Sequence, residues 1–208
     1  MLHLIDHQTM SEHRDLCRSM FRDRKTIFVD YLKWDLTCVG DEERDSFDNA
    51  SARYLVFSDQ GGTRHLGSVR LLPTIGSHLL GDVFPHLCEK PVPRSPKILE
   101  ITRLCQNPHI RGEESRAIRN ALACALVEYA LARGITGYTG VTPLDFLARL
   151  LATGWRCTPL GLPKADGDSQ IAAFLISIDQ NTLPDMEAAG TYRPSGLWLE
   201  EANLSVAA

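Results

Sequence analysis

The sequence predicts an α/β protein, a three-layer arrangement whose central sheet carries hairpins early in the chain and crossover helices later. Three observations predict it. Period-two apolar alternation occurs in both halves of the chain, a Gly-Gly turn separates two of these runs, and a long amphipathic helical stretch covers residues 113–133. With 208 residues, 44% of them hydrophobic, the chain has enough apolar material to fill the core of one compact domain spanning residues 1–208.

Residues 1–6 (MLHLID) alternate apolar and polar and read as a short strand. Ser11 to about Arg24 follows as a helix, with Leu16, Met20 and Phe21 at helical spacing. The acidic stretch from Val39 to Asn49 has no periodic apolar face and reads as a loop, exposed or lining a cleft. Ala52–Ser58 and His65–Leu72 then form a hairpin around Asp59-Gln60-Gly61-Gly62. Lys97–Cys105 is a further strand, on which Glu100 and Arg103 fall on opposite faces unless a bulge re-aims one of them.

The stretch Glu113–Arg133 carries the stripe Ile118, Leu122, Ala125, Leu126 and Tyr129, opens with acidic residues and stops at Arg133-Gly134. A strand near Ile135–Val141, a helix near Pro143–Ala152, a Gly154-Trp155 turn and a strand at Gln170–Ile178 complete the pattern. Beyond Pro184 the sequence has no clear period and is expected to be peripheral.

The bulk composition excludes several function classes. A net charge of -4 gives no general attraction to nucleic acid. The six cysteines are scattered, without a CxxC pair, and read as reduced thiols of a cytoplasmic protein. No membrane span or leader is expected, because no run of eighteen apolar residues occurs and the N-terminus has no basic start and cleavage site. The seven histidines show no zinc spacing with cysteine, so no metal is expected.

On this scaffold stands a series of charged and aromatic residues: Arg24, Phe28, Trp34, the Asp45-Ser46-Phe47-Asp48 loop, Gly67-Ser68-Val69-Arg70-Leu71-Leu72-Pro73-Thr74 and Glu100-Ile101-Thr102-Arg103. In order and spacing the series resembles the acyl-homoserine-lactone synthases, the autoinducer synthases of bacterial quorum sensing. The resemblance is strong from about residue 15 to 110 and weaker to about 160. It implies a fold like that of the GNAT N-acyltransferases, with a mixed twisted sheet whose central strands splay into a cleft. It also implies S-adenosylmethionine as acyl acceptor, an acyl carrier protein or acyl-CoA thioester as donor, and no prosthetic group.

The residues themselves suit that chemistry. An α-amino group, with a reference pKa of roughly 7.7 to 8.0, is mostly protonated at neutral pH, so amide formation needs a mild base. Glu100 is the candidate; alternatively it forms an ion pair with a neighbouring arginine. The resemblance also implies that backbone N–H groups near a bulge at Thr102–Cys105 meet the oxyanion. Arg24, Arg70 and Arg103 can each clasp a carboxylate with two hydrogen bonds, and Asp45 and Asp48 can pair with them or offset the sulfonium, with the pairing left open. Phe28 and Trp34 stack on adenine, face the sulfonium, or simply fill core. Thr142 resembles in position a threonine that in some members of the family accompanies 3-oxo acyl chains, which implies a hydrogen bond to a β-keto oxygen; alternatively it caps the helix starting at Pro143.

Two rival readings stand beside this one. Arg111-Gly112 leading into a long helix resembles the pyrophosphate cradle of an acetyl-CoA-dependent N-acetyltransferase, but Glu113 and Glu114 put negative charge where phosphates would sit. A non-catalytic ligand sensor would have no use for Glu100 together with three arginines. An acidic carrier protein would need a basic patch, offered by Arg14, Arg18, Arg22, Arg24 and Lys25 or by Arg111, Arg116 and Arg119.

Overall fold

The computed structural model describes residues 1–167 and 169–195. Its first elements follow the sequence closely: β1 (Leu2–Ile5), α1 (Arg14–Arg24), β4 (Arg53–Ser58) and β5 (His65–Pro73). Helix α1 begins three residues later than its periodicity suggests. The Asp6 carboxylate accepts the backbone N–H groups of Gln8 and Thr9, and this side-chain turn offers the chain an alternative to helix.

The acidic stretch is not a plain loop. Gly40, at φ +62°, turns a two-stranded ribbon made of β2 (Cys38–Val39) and β3 (Glu42–Glu43). Strands this short leave no alternation to read. Between α1 and the ribbon lies a π-helical turn, Lys25–Tyr31, of the kind that interrupts helices at functional sites.

After β5 come a one-turn helix α2 (Leu79–Asp82), a 3-10 turn (Pro85–Leu87) and β6 (Ile98–Gln106). Helix α3 (Gly112–Arg133) ends where Gly134 adopts φ +65°. The remaining elements are β7 (Gly137–Pro143), α4 (Leu144–Leu151), β8 (Arg156–Pro159), β9 (Lys164–Asp166), β10 (Ser169–Ser177) and α5 (Thr182–Ala188). Elements α2, β8 and β9 are absent from the sequence reading because each is too short to show a period.

The strands join in the order β1-β4-β5-β6-β7-β10-β8, with β9 also on β10. The pairing is antiparallel except between β6 and β7, which the crossover helix α3 makes parallel. That parallel pair is short: it joins Ile98 to Gly137, Leu99 to Tyr138 and Glu100 to Thr139. Both strands run on beyond this point, so the sheet opens into a wedge immediately past Glu100 and Thr139.

Two apolar layers clamp the sheet. On one face α3, α4 and α5 pack through Leu122, Leu126, Leu150 and Met186 onto Leu55, Leu71, Tyr138 and Ile176. On the other face α1 packs through Leu16, Met20 and Phe21 onto Tyr54, Val56 and Leu72. Further along that second face, Leu80 of α2 sits with Ile171 and Ala173. The polar site lies between these last two clusters. Residues 184–195 are tied in by Met186 and by Arg193, whose backbone N–H bonds Cys124 Sγ; residues 196–208 lie outside the described residues.

Candidate active site

Three guanidinium groups and three carboxylates meet on the second face. Arg24, delivered by the last turn of α1, donates Nε to Glu43 Oε2 at 2.6 Å and both terminal nitrogens to Asp48 at 2.9 Å. Arg70 points up from β5 and donates to Asp45 at 2.6 and 3.1 Å, to Asp48 at 2.8 Å and to Thr102 Oγ1 at 2.9 Å. Arg24 and Arg70 are each only 1% exposed, so pairing is obligatory: an unpaired buried ion would cost several kcal/mol. Tyr54 closes the set, its hydroxyl donating to Asp48 Oδ1 at 2.7 Å. Burial would raise the Asp48 carboxyl, but the Arg24 fork and Arg70 outweigh it and hold it far below the usual carboxylate range.

Arg103 joins the cluster through a bulge. Arg70 pairs with Thr102 and Ser68 with Cys105, so β6 carries one more residue than β5 across this interval, and Arg103 takes φ +52°. The left-handed residue turns its side chain to the face of Thr102, where it reaches Glu43 at 3.1 Å and Asp45 at 2.8 Å. Strict alternation would have sent Arg103 to the opposite layer. The bulge anticipated around Thr102–Cys105 is therefore present, and its first effect is to complete the ring of ion pairs.

Glu100 stands apart from the arginines. Its carboxylate accepts the backbone N–H of Leu79 at 2.7 Å and of Leu80 at 2.6 Å, so it bonds the start of α2 where an arginine ion pair was the alternative reading. Burial pushes its carboxyl up to about 7, against the opposing pull of the two amides and Arg70. Its neighbour across the parallel pair, Thr139, is fully buried and its hydroxyl has no partner among the described residues.

Phe28 and Trp34 stack at 5.0 Å with their planes 15° apart, and the Arg103 guanidinium lies 5.6 Å from the Phe28 ring centre. Phe28 is buried in the π-helical turn, whereas Trp34 is 37% exposed, so the pair forms a wall open on one side. Thr142 lies away from the arginines, on β7 past the point where the wedge opens. The helix cap that is one of its two readings does not form: Pro143 takes the N-cap position itself, and among the described residues no side chain caps α4.

The two basic patches differ. On α1, Arg24 is buried, and Arg18, Arg22 and Lys25 pair with Glu42, Asp41 and Asp30. Arg111, Arg116 and Arg119 are exposed and form no ion pair among the described residues. Sequence reasoning missed Glu43, Tyr54, Thr102 and Thr139 as site residues. The acidic run gives no sign of which carboxylate turns inward, and the other three are ordinary strand residues until their neighbours are known.

The conserved pattern of the autoinducer synthase family matches residues 6–186. The chain belongs to that family. An acyl-homoserine-lactone synthase of Rhizobium etli is 36% identical over 163 residues, covering 77% of this chain and 76% of the relative. The solved structure of a CoA-dependent acyl-homoserine lactone synthase with SAM and isopentyl-CoA superposes with a TM-score of 0.83 at 29% identity, covering 91% of this chain and 89% of that one. An acyl-CoA N-acyltransferase from Pseudomonas aeruginosa shares the fold alone, with a TM-score of 0.59 at 14% identity over 84% of this chain and 97% of that one. This synthase thus has the GNAT-like architecture, and family membership makes it an acyltransferase of acyl-homoserine-lactone synthesis. Among the described residues no helix is long and apolar enough to cross a membrane.

Proposed function

We propose that Arg24, Asp45, Asp48, Arg70 and Arg103, with Phe28 and Trp34, hold S-adenosylmethionine beside the wedge in the sheet, and that Glu100 takes the proton of its amino group. The observation that carries this reading is the convergence of three buried arginines next to the point where β6 and β7 part. A zwitterionic, sulfonium-bearing ligand needs both signs of charge at short range, and the cluster supplies both. The stacked aromatic pair adds a flat, electron-rich wall for a purine or a cation.

The chemistry runs in two steps. The amine nitrogen attacks the thioester carbon, the oxyanion collapses with loss of the thiolate, and the amine proton passes to Glu100 directly or through a water. A carboxyl near 7 matches an amine near 8 closely enough for efficient transfer. Backbone N–H groups at the Arg103 bulge would steady the oxyanion. The methionine carboxylate then displaces the sulfonium sulfur, closing the lactone and releasing methylthioadenosine, a step governed by orientation. Thr142 faces the acyl half of the substrate in this arrangement.

The acyl donor is a thioester of an acyl carrier protein or of coenzyme A, reaching the wedge from the α3 side, where Arg111, Arg116 and Arg119 are free to meet an acidic partner or phosphates. The reaction belongs in the cytoplasm, in a single domain without a prosthetic group. Mass spectrometry of lactones made by a heterologous host expressing the chain tests the reading. The expected product is one acyl-homoserine lactone series, lost on Glu100→Gln; undiminished lactone from Glu100→Gln would overturn the base assignment.

A further inference from the structure

Next to the arginine cluster lies a second set of buried polar side chains that the acyl-transfer steps do not use. His65, at the start of β5 and fully buried, approaches Asp23 Oδ2 with Nδ1 at 2.7 Å and Ser68 Oγ with Nε2 at 3.0 Å. A carboxylate only accepts, so Nδ1 carries a proton, and in the neutral imidazole Nε2 then accepts from the Ser68 hydroxyl. Acid, imidazole and hydroxyl in this order can build a covalent nucleophile. Here Ser68 is 1% exposed between α1 and the sheet, out of reach of a thioester.

We infer that Asp23, His65 and Ser68 form a positioning relay that sets Arg24 for S-adenosylmethionine. The inference rests on the reading that Arg24 belongs to the binding site. Ser19 and Asp23 lie one turn apart on α1 and both bind His65, Ser19 through its Oγ and the His65 backbone N–H at 3.1 Å. The relay therefore stitches the last turn of α1 to β5 at the residue preceding Arg24. A guanidinium that must meet Glu43 at 2.6 Å and Asp48 twice at 2.9 Å tolerates little displacement of its backbone. Apolar packing on α1 holds the helix against the sheet without fixing its rotation; a directional chain of hydrogen bonds fixes both.

Steady-state kinetics on the purified full chain test the relay. His65→Leu should raise KM for S-adenosylmethionine by about tenfold with kcat changed less than about threefold, the loss of one hydrogen bond to a charged group felt at the ligand. Asp23→Leu should behave alike. Asp23→Asn should recover most of the loss, because the imidazole can exchange tautomers, accept from the amide and donate to Ser68. Should His65→Leu fail to fold, Ser68→Ala removes a single hydroxyl and should still raise KM at constant kcat. An unchanged KM in folded His65→Leu or Ser68→Ala, or equal losses in Asp23→Asn and Asp23→Leu, overturns the relay. Arg24→Lys separates the two ideas: if it leaves KM unchanged the binding-site reading fails, and if it raises KM while His65→Leu does not, the relay alone fails.

Discussion

Arg70 Nε donates to Thr102 Oγ1 at 2.9 Å across the β5–β6 pair. The hydroxyl braces a guanidinium whose remaining nitrogens must span to two loop carboxylates. Lysine has neither the fork nor the Nε donor, so Arg70→Lys is expected to raise KM for S-adenosylmethionine at least about tenfold, the loss of more than one charge-assisted hydrogen bond. Thr102→Val should keep volume and burial and give a smaller rise of about fivefold, read from the same initial-rate series.

Glu100 links activity to pH. As the base it must be ionised, so kcat/KM should climb as pH rises through about 7 and level off above it. Stability runs the other way. The folded-state value lies above that of the unfolded chain, so burial of the protonated acid favours the fold fully below the unfolded value and the advantage is lost as pH rises through about 7. Glu100→Gln should flatten both profiles and lower kcat by about a hundredfold or more. A pH–rate limb that persists in Glu100→Gln would assign it to another group.

Asp48 makes the opposite contribution. Its carboxyl is held down by Arg24 and Arg70 against the cost of burial, so its share of stability is present above the unfolded carboxylate range and is lost as pH falls through the depressed folded value. Asp48→Ala removes one of the two carboxylates that meet each of two buried guanidinium groups, leaving Glu43 on Arg24 and Asp45 on Arg70, and should cost about 3 kcal/mol in urea denaturation at neutral pH. A loss below about 1 kcal/mol would show that the ring of ion pairs re-forms without it.

Thr139 is buried beside Glu100, and its hydroxyl has no partner among the described residues. Thr139→Val removes that unmet polar group and should raise thermal stability, by about 1 kcal/mol or more. A Thr139→Val protein that is less stable than the parent would mean that the hydroxyl has a partner in solution.

Charge reversal at Arg116 and Arg119 tests the free patch on α3. The double Arg→Glu variant should raise KM for a carrier-protein donor with little change in kcat, and the effect should shrink as salt is added. Matching changes at Arg18 and Arg22, which are already paired on α1, should have far less effect. Equal effects at the two patches would remove the distinction.

The chain order of the longer elements, the layer assignment and most members of the charged cluster were legible in the sequence. Apolar periods of two and 3.6 residues report which face of each element seeks a core, and Arg24, Asp45, Asp48, Arg70 and Glu100 carry chemistry that an apolar core would not tolerate unpaired. Which arginine meets which carboxylate was decided only by tertiary structure, because a pairing depends on distances between segments that sequence spacing does not record. The same holds for Glu43, chosen from an acidic run by the Gly40 turn, and for Arg103, brought to the site by one extra residue in β6 that reverses the side on which strict alternation would place it. Local propensity sets elements; register, bulges and the divergence of two strands set where their side chains meet.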